Sequence, residues 1–172
     1  MNLKSTDFEL FGAPEQFAQD RDALDVRWKE LQREAHPDKF AAQGAAAQRV
    51  AMQWSVRINE AYQRLKDPVK RAAYLCELRG APVNAENNTA MPTDFLMQQM
   101  ELREALEEAR TIEDTDEISQ KSSQNMREQL LKVEQLLDFT KDTAQAAQTV
   151  RALMFIQRFM QDVDVRYEHL GQ

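Results

Sequence analysis

A single cysteine, Cys76, is the only thiol this chain carries. That excludes an internal disulfide framework and a clustered thiolate metal site, and its apolar surroundings mark it as a small core residue. Histidine is almost as scarce: His36 and His169 stand far apart. One cysteine and two distant histidines cannot close a metal site, so no metal and no cofactor is expected. The four glycines are isolated from one another, which excludes a phosphate-cradling glycine loop. No nucleophile motif accompanies either histidine, so no catalytic residue is expected and the chain reads as a non-enzyme. Long apolar runs are missing as well. None approaches the roughly 18 residues of a membrane span, and Met1-Asn2-Leu3-Lys4-Ser5 lacks the apolar core of a signal peptide. A cytoplasmic protein with no membrane partner is therefore expected. Basic excess is also absent: the net charge is −7, whereas a nucleic-acid partner would demand a basic surface.

What is present suits a soluble globular chain. Hydrophobic residues at 42% allow a core, and charged residues at 30% supply a solvated exterior. The charge is unevenly placed. Residues 1–80 carry a net +1 and residues 81–172 a net −8, which suggests two units with different partners.

Glycine and proline fall at the edges of helical patterns, and no alternating strand pattern or internal repeat is visible. The fold class is therefore all-α. A short element is expected near Asp7–Phe11, with Phe8 and Phe11 on one side. A helix from about Asp22 to His36 carries the stripe Leu24, Trp28, Leu31 and Ala35. After Pro37, a long helix from about Ala45 to Lys66 turns Val50, Trp54, Ile58, Ala61 and Leu65 inward. Asp67-Pro68 breaks it, and a further helix to Arg79 offers Ala72, Leu75 and Leu78. Residues 80–93 are rich in turn formers and read as a linker. Three longer helices follow, near Asp94–Arg110, Asp116–Phe139 and Thr143–Leu170. Thr93 and either Asp142 or Thr143 are their expected N-caps. Short connections make this half an antiparallel three-helix bundle.

The chemistry concentrates between the second and third elements. Pro37 fixes φ and removes a donor, giving His36-Pro37-Asp38 a defined shape at the tip of a helical hairpin. Lys29 and Arg33, four residues apart and opposite the Trp28/Leu31 stripe, form a basic edge with Lys39. Taken alone, the tripeptide is equally a helix stop with a polar cap. The surrounding sequence changes that. The run His36-Pro37-Asp38-Lys39-Phe40, preceded by a basic amphipathic helix, is followed by Asn59, Ala61, Tyr62, Leu65, Asp67, Pro68, Arg71 and Tyr74. Together with Phe8, Phe11, Trp28 and Leu31 this resembles a J-domain over residues 1–79. The resemblance implies a partner rather than a reaction, namely a DnaK-type ATPase chaperone. His36, Pro37 and Asp38 would make the loop contacts, and Lys29, Arg33 and Lys39 would steer toward an acidic surface.

A J-domain followed by an acidic three-helix unit, residues 94–172, resembles the HscB family of co-chaperones. The family's work implies a specialised HscA-like chaperone and, as client, an IscU-type iron–sulfur cluster scaffold. Read from the residues alone, Phe95, Gln99, Leu102, Leu106 and Ala109 share one face of the first bundle helix. Leu96 and Met100 lie off that face, with Met97 and Glu104 beside them. On the last helix Val150, Leu153, Ile156, Met160, Val163 and Tyr167 form the core stripe. Phe155 points away from that stripe, with Phe159 one turn on. The pattern leaves open whether the off-face residues bind a partner or fill a second buried stripe. The resemblance implies a client site at Leu96, Met97, Met100, Glu101, Glu104, Glu108 and Phe155. An alternative keeps the J-domain and gives the bundle a different client, such as general unfolded chains.

Overall fold

The computed structural model describes residues 2–83 and 91–172. Among them the regular elements are all helices, with no strand. None is long and apolar enough to cross a membrane. The chain separates into two compact units that divide between Leu75 and Cys76, inside the helix Pro68–Leu78. Of the linker expected over residues 80–93, positions 84–90 lie outside the described residues.

The first unit contains α1 (Asp7–Phe11), α2 (Arg21–Ala35), a 3-10 helix (Pro37–Gln43), α3 (Ala45–Lys66) and most of α4 (Pro68–Leu78). The helix starts are written locally. The Thr6 hydroxyl accepts from the Glu9 amide at 3.1 Å, and the Asp20 carboxylate accepts from Ala23 at 3.2 Å. Each satisfies an amide that the first helical turn leaves unpaired. Helices α2 and α3 pack as a hairpin around Leu24, Leu31, Ala51, Ile58, Ala61 and Leu65. Phe8, Leu10 and Phe11 of α1 and Val69, Ala72 and Leu75 of α4 close this core. Each large side chain buried here contributes about 1.5–3 kcal/mol, so the apolar stripes decide the pairing.

Two expected core positions lie outside it: Val50 is 51% exposed and Leu78 39%. Val50 faces the 3-10 helix, which buries none of its own residues and so covers little. At the end of α4 the buried residue is Cys76. Its burial pushes the thiol up to about 11, as expected for an inert core cysteine.

The second unit is built on α5 (Thr93–Glu108), α6 (Ile112–Glu134) and α7 (Thr143–Leu170), with a π-helical turn (Gln135–Phe139) extending α6. Helix α6 starts at Ile112 because Thr111 and Asp114 form a reciprocal capping box. The pair sits at the T-x-x-D spacing that marks such a start. Backbone N–H groups of Arg110 and Thr111, then the Thr111 hydroxyl, hold the Asp114 carboxyl below its ordinary range. Thr93 is not a cap but the first helical residue of α5, and no side chain caps that end. Asp142 does cap α7, through the Gln145 amide at 3.1 Å.

The bundle core joins Leu102, Leu106, Ala109, Ile118, Phe159 and Val163, with Val133, Leu137, Val150, Leu153 and Ile156 along its length. Phe159 is fully buried, so it belongs to the core and not beside Phe155 on an outer face. Tyr167 is 44% exposed and leaves the expected stripe, at the end of the bundle where α5 stops and α6 begins.

One core position is badly matched to its surroundings. Gln99 is 3% exposed, and neither its amide nitrogen nor its amide oxygen has a hydrogen-bond partner among the described residues. An unsatisfied buried polar group costs about 1–3 kcal/mol. Gln99→Leu is accordingly expected to raise the urea midpoint of the second unit, and an unchanged or lower midpoint would contradict that cost.

Candidate functional site

The basic edge of α2 and the loop that follows it come together on one surface. Trp28, Lys29, Gln32, Arg33, His36, Lys39 and Asn59 line a single open groove of about 690 Å³. Lys29, Arg33, His36, Asp38 and Lys39 are all exposed, and Pro37 is half-buried. Five side-chain contacts fix α2 against α3 beneath these charges. The Trp28 indole donates to Asn59 Oδ1 at 2.9 Å, and Gln32 donates to the same oxygen at 2.7 Å. The Trp28 ring stacks on Tyr62 at 4.6 Å, and the Tyr62 hydroxyl donates to Asp25. Donating that bond and losing water both raise the Tyr62 pKa, so the phenol stays a donor. Ser55 and Gln32 add a side-chain bond of 2.8 Å.

The loop geometry follows from its proline. A residue before proline is driven to extended backbone, and His36 sits at φ −61° and ψ 127°, ending α2. Its Nδ1 accepts from the Asp38 amide at 3.2 Å and lies 3.7 Å from the Asp38 carboxylate. With Nδ1 accepting, the neutral ring carries its proton on Nε2, which is left as a donor. The groove therefore presents three cations and one imidazole on a two-helix base, and the exposed Asp38 carboxylate follows His36 in the loop. That arrangement suits recognition of an acidic protein surface. Gln32 and Asn59 are parts of this groove that the sequence pattern did not single out as functional. Their polarity on otherwise apolar-facing turns was the available signal.

The second candidate surface lies on α5. Leu96, Met97 and Met100 are exposed by 38%, 56% and 62%, and Glu101, Glu104 and Glu108 are exposed beside them. Leu96, Met97 and Met100 therefore fill no second buried stripe. They form an apolar patch with an acidic border along one helix. Phe155 is half-buried and meets α5 through an edge-on contact with Phe95, ring centroids 5.9 Å apart. The Arg103–Asp162 pair at 3.3 Å also ties α5 to α7. Among the described residues no group of three or more His, Cys, Asp or Glu side chains is placed to hold a metal.

Comparison with known proteins agrees with this geometry. Residues 91–164 match a family model described as the HSCB C-terminal oligomerisation domain. A co-chaperone protein HscB homolog of Burkholderia cenocepacia is 47% identical, across 99% of this chain and 98% of that protein. The homolog from Burkholderia multivorans is also 47% identical over the same shares. Among solved structures, the chaperone HscB from Vibrio cholerae superposes with a TM-score of 0.82 at 33% identity, covering 96% of this chain and 99% of that one. The human co-chaperone protein HscB shares the fold, with a TM-score of 0.90 at 24% identity over 96% of this chain and 83% of its own. With near-complete coverage of relatives at this identity, and a His-Pro-Asp hairpin in one unit and a helical bundle in the other, the chain belongs to the HscB family of co-chaperones.

Proposed function

We propose that the protein couples a specialised DnaK-type (HscA-like) chaperone to an IscU-type iron–sulfur cluster scaffold. In this reading residues 1–79 act as the J-domain and residues 94–172 as the client-binding domain. Lys29, Arg33 and Lys39 steer toward an acidic face of the chaperone, while His36, Pro37 and Asp38 contact the state that hydrolyses ATP. A contact made to one state only shifts that equilibrium, so the co-chaperone accelerates the partner's ATPase without chemistry of its own. The observation that carries this reading is the single groove in which Lys29, Arg33, His36 and Lys39 meet.

The client half rests on the exposed face Leu96, Met97 and Met100, with Glu101, Glu104 and Glu108 available to a basic rim and Phe155 supported by Phe95. Exposed methionines and leucine in one patch on a water-facing helix are the usual mark of a binding surface. Titration of the protein against purified scaffold tests it. Leu96→Ala combined with Met100→Ala is expected to weaken binding by about ten-fold or more, since truncating a central apolar contact commonly costs above about 1 kcal/mol. ATPase stimulation in the absence of scaffold should stay at its unaltered level. Because both side chains are exposed, their loss leaves the bundle core untouched. Phe155→Ala also weakens binding, but through Phe95 it disturbs packing as well. If the unaltered protein binds no scaffold and does bind unfolded polypeptide, the general-client alternative replaces this half of the reading.

A further inference from the structure

The loop is held at its tip by proline, but the segment that follows it has little to hold it down. Of the 3-10 helix Pro37–Gln43, only Pro37 and Phe40 are even half-buried, and Asp38, Lys39, Ala41, Ala42 and Gln43 are exposed. Among the described residues no side-chain hydrogen bond or ion pair ties Lys39–Gln43 to α2 or α3. The helix ends at Gly44, with φ +100°, a conformation closed to most L residues. Its last backbone bond, Gly44 N–H to the Ala41 carbonyl, is 3.5 Å long. Seven residues of 3-10 helix are also more than this geometry usually sustains alone.

Phe40 stands at the centre of this segment. It lines an apolar cleft of about 490 Å³ between the end of α2 and the start of α3, with Leu31, Ala35, Ala47, Val50, Ala51 and Trp54 around it. The opposite side of the segment carries Lys39, which belongs to the docking groove. One residue thus faces the hairpin while its neighbour faces the partner. We propose that Phe40 is a positioning residue for ATPase stimulation: its half-buried ring, forming one wall of the cleft shared with Leu31, Ala47 and Trp54, holds the 3-10 helix so that His36, Asp38 and Lys39 are presented in one fixed arrangement. The proposal rests on the co-chaperone reading and deepens it, since it concerns a side chain that touches no partner.

The physical distinction is between docking and triggering. Two of the three steering cations, Lys29 and Arg33, sit on α2, which Trp28, Gln32 and Asp25 tie to α3 without Phe40, so most of the encounter with the chaperone survives its removal. The loop contacts, in contrast, need correct placement, and a displacement of about an ångström can cost orders of magnitude in rate.

Single-turnover ATP hydrolysis by a purified DnaK-type chaperone, titrated with the full-length protein, separates the two. Phe40→Ala is expected to lower maximal stimulation about ten-fold while the half-saturating concentration changes by less than about two-fold. Phe40→Leu, which restores an apolar wall to the cleft, should recover most of the stimulation. Helicity and thermal midpoint should match the unaltered protein, and amides of the 3-10 helix should exchange faster in Phe40→Ala. Unaltered maximal stimulation by Phe40→Ala would overturn the proposal, as would a rise confined to the half-saturating concentration. Lost stimulation accompanied by lost helicity would assign Phe40 to fold stability and overturn it equally. His36→Gln, run alongside, reports on the underlying reading. If it stimulates normally, the co-chaperone reading fails; if it is inactive and Phe40→Ala is not, only the Phe40 assignment fails.

Discussion

Replacing His36 by glutamine is expected to remove the stimulation of the partner ATPase while leaving the helical fold unchanged. The choice of glutamine matters. His36 uses Nδ1 to accept the Asp38 amide at 3.2 Å, and a glutamine carbonyl at the same position still offers an acceptor to that amide. What glutamine cannot reproduce is the planar ring with a donor at Nε2. The residue is exposed and ends a helix rather than filling a core, so its substitution touches no packed side chain. Loss of stimulation by at least about ten-fold, equivalent to about 1.4 kcal/mol in the partner's barrier, is the expected outcome. Stopped-flow or single-turnover ATPase measurement gives the rate, and circular dichroism gives the fold. Full stimulation by this variant would remove the basis for assigning the loop to the chaperone.

The largest effect on stability is expected at a different kind of site. Asp7 is completely buried, yet it carries a carboxylate. Its oxygens meet Arg64 at 2.6 and 3.0 Å in a two-pronged contact, and Arg57 Nη1 lies 2.8 Å from Oδ1. Its own amide donates to the Tyr74 hydroxyl at 3.0 Å, and the Arg64 guanidinium covers the Tyr74 ring. Arg57 also donates to the carbonyls of Leu3 and Ser5. The carboxylate thus fastens α1 to α3 and compensates two cations, while the Asp7 amide ties α1 to α4. Removing one partner of a buried ion pair leaves the others uncompensated and costs about 3–5 kcal/mol. Asp7→Ala is therefore expected to destabilise the first unit by that order, read from its denaturant midpoint, whereas the second unit keeps its own. Asp7→Asn should fall between, because an amide keeps one acceptor and loses the charge. A change below about 1 kcal/mol, the range of an exposed pair, would show that the cluster adds little.

The two sites differ in how they could be recognised. The His36 loop was legible because its residues are contiguous and proline writes their geometry directly. The Asp7 cluster draws on residues far apart in the chain, and nothing in the run Thr6-Asp7-Phe8 distinguishes a buried acid from a solvated one. Asp7 sits just after the cap of a short helix, where an acid is ordinarily explained by the helix terminus alone. The α5 patch falls between these cases. Periodicity placed Leu96 and Met100 off the core stripe, but exposure depends on whether another element covers them.

Local sequence, then, determined the all-helical class, the helix ends that carry their own caps or prolines, the apolar stripes, and the shape of the His36-Pro37-Asp38 turn. Each follows from interactions within a few residues, where backbone sterics and 3.6-residue periodicity act without help. Only the tertiary structure decided that Val50, Leu78 and Tyr167 lie outside the core and Phe159 inside it. The same holds for Asn59 joining Trp28 and Gln32 under the basic groove, for Asp7 closing a buried charge cluster, and for Leu96, Met97 and Met100 remaining in water. Burial at these positions is a property of which element lies opposite and where that element ends. Distant segments set that, and no local pattern records it.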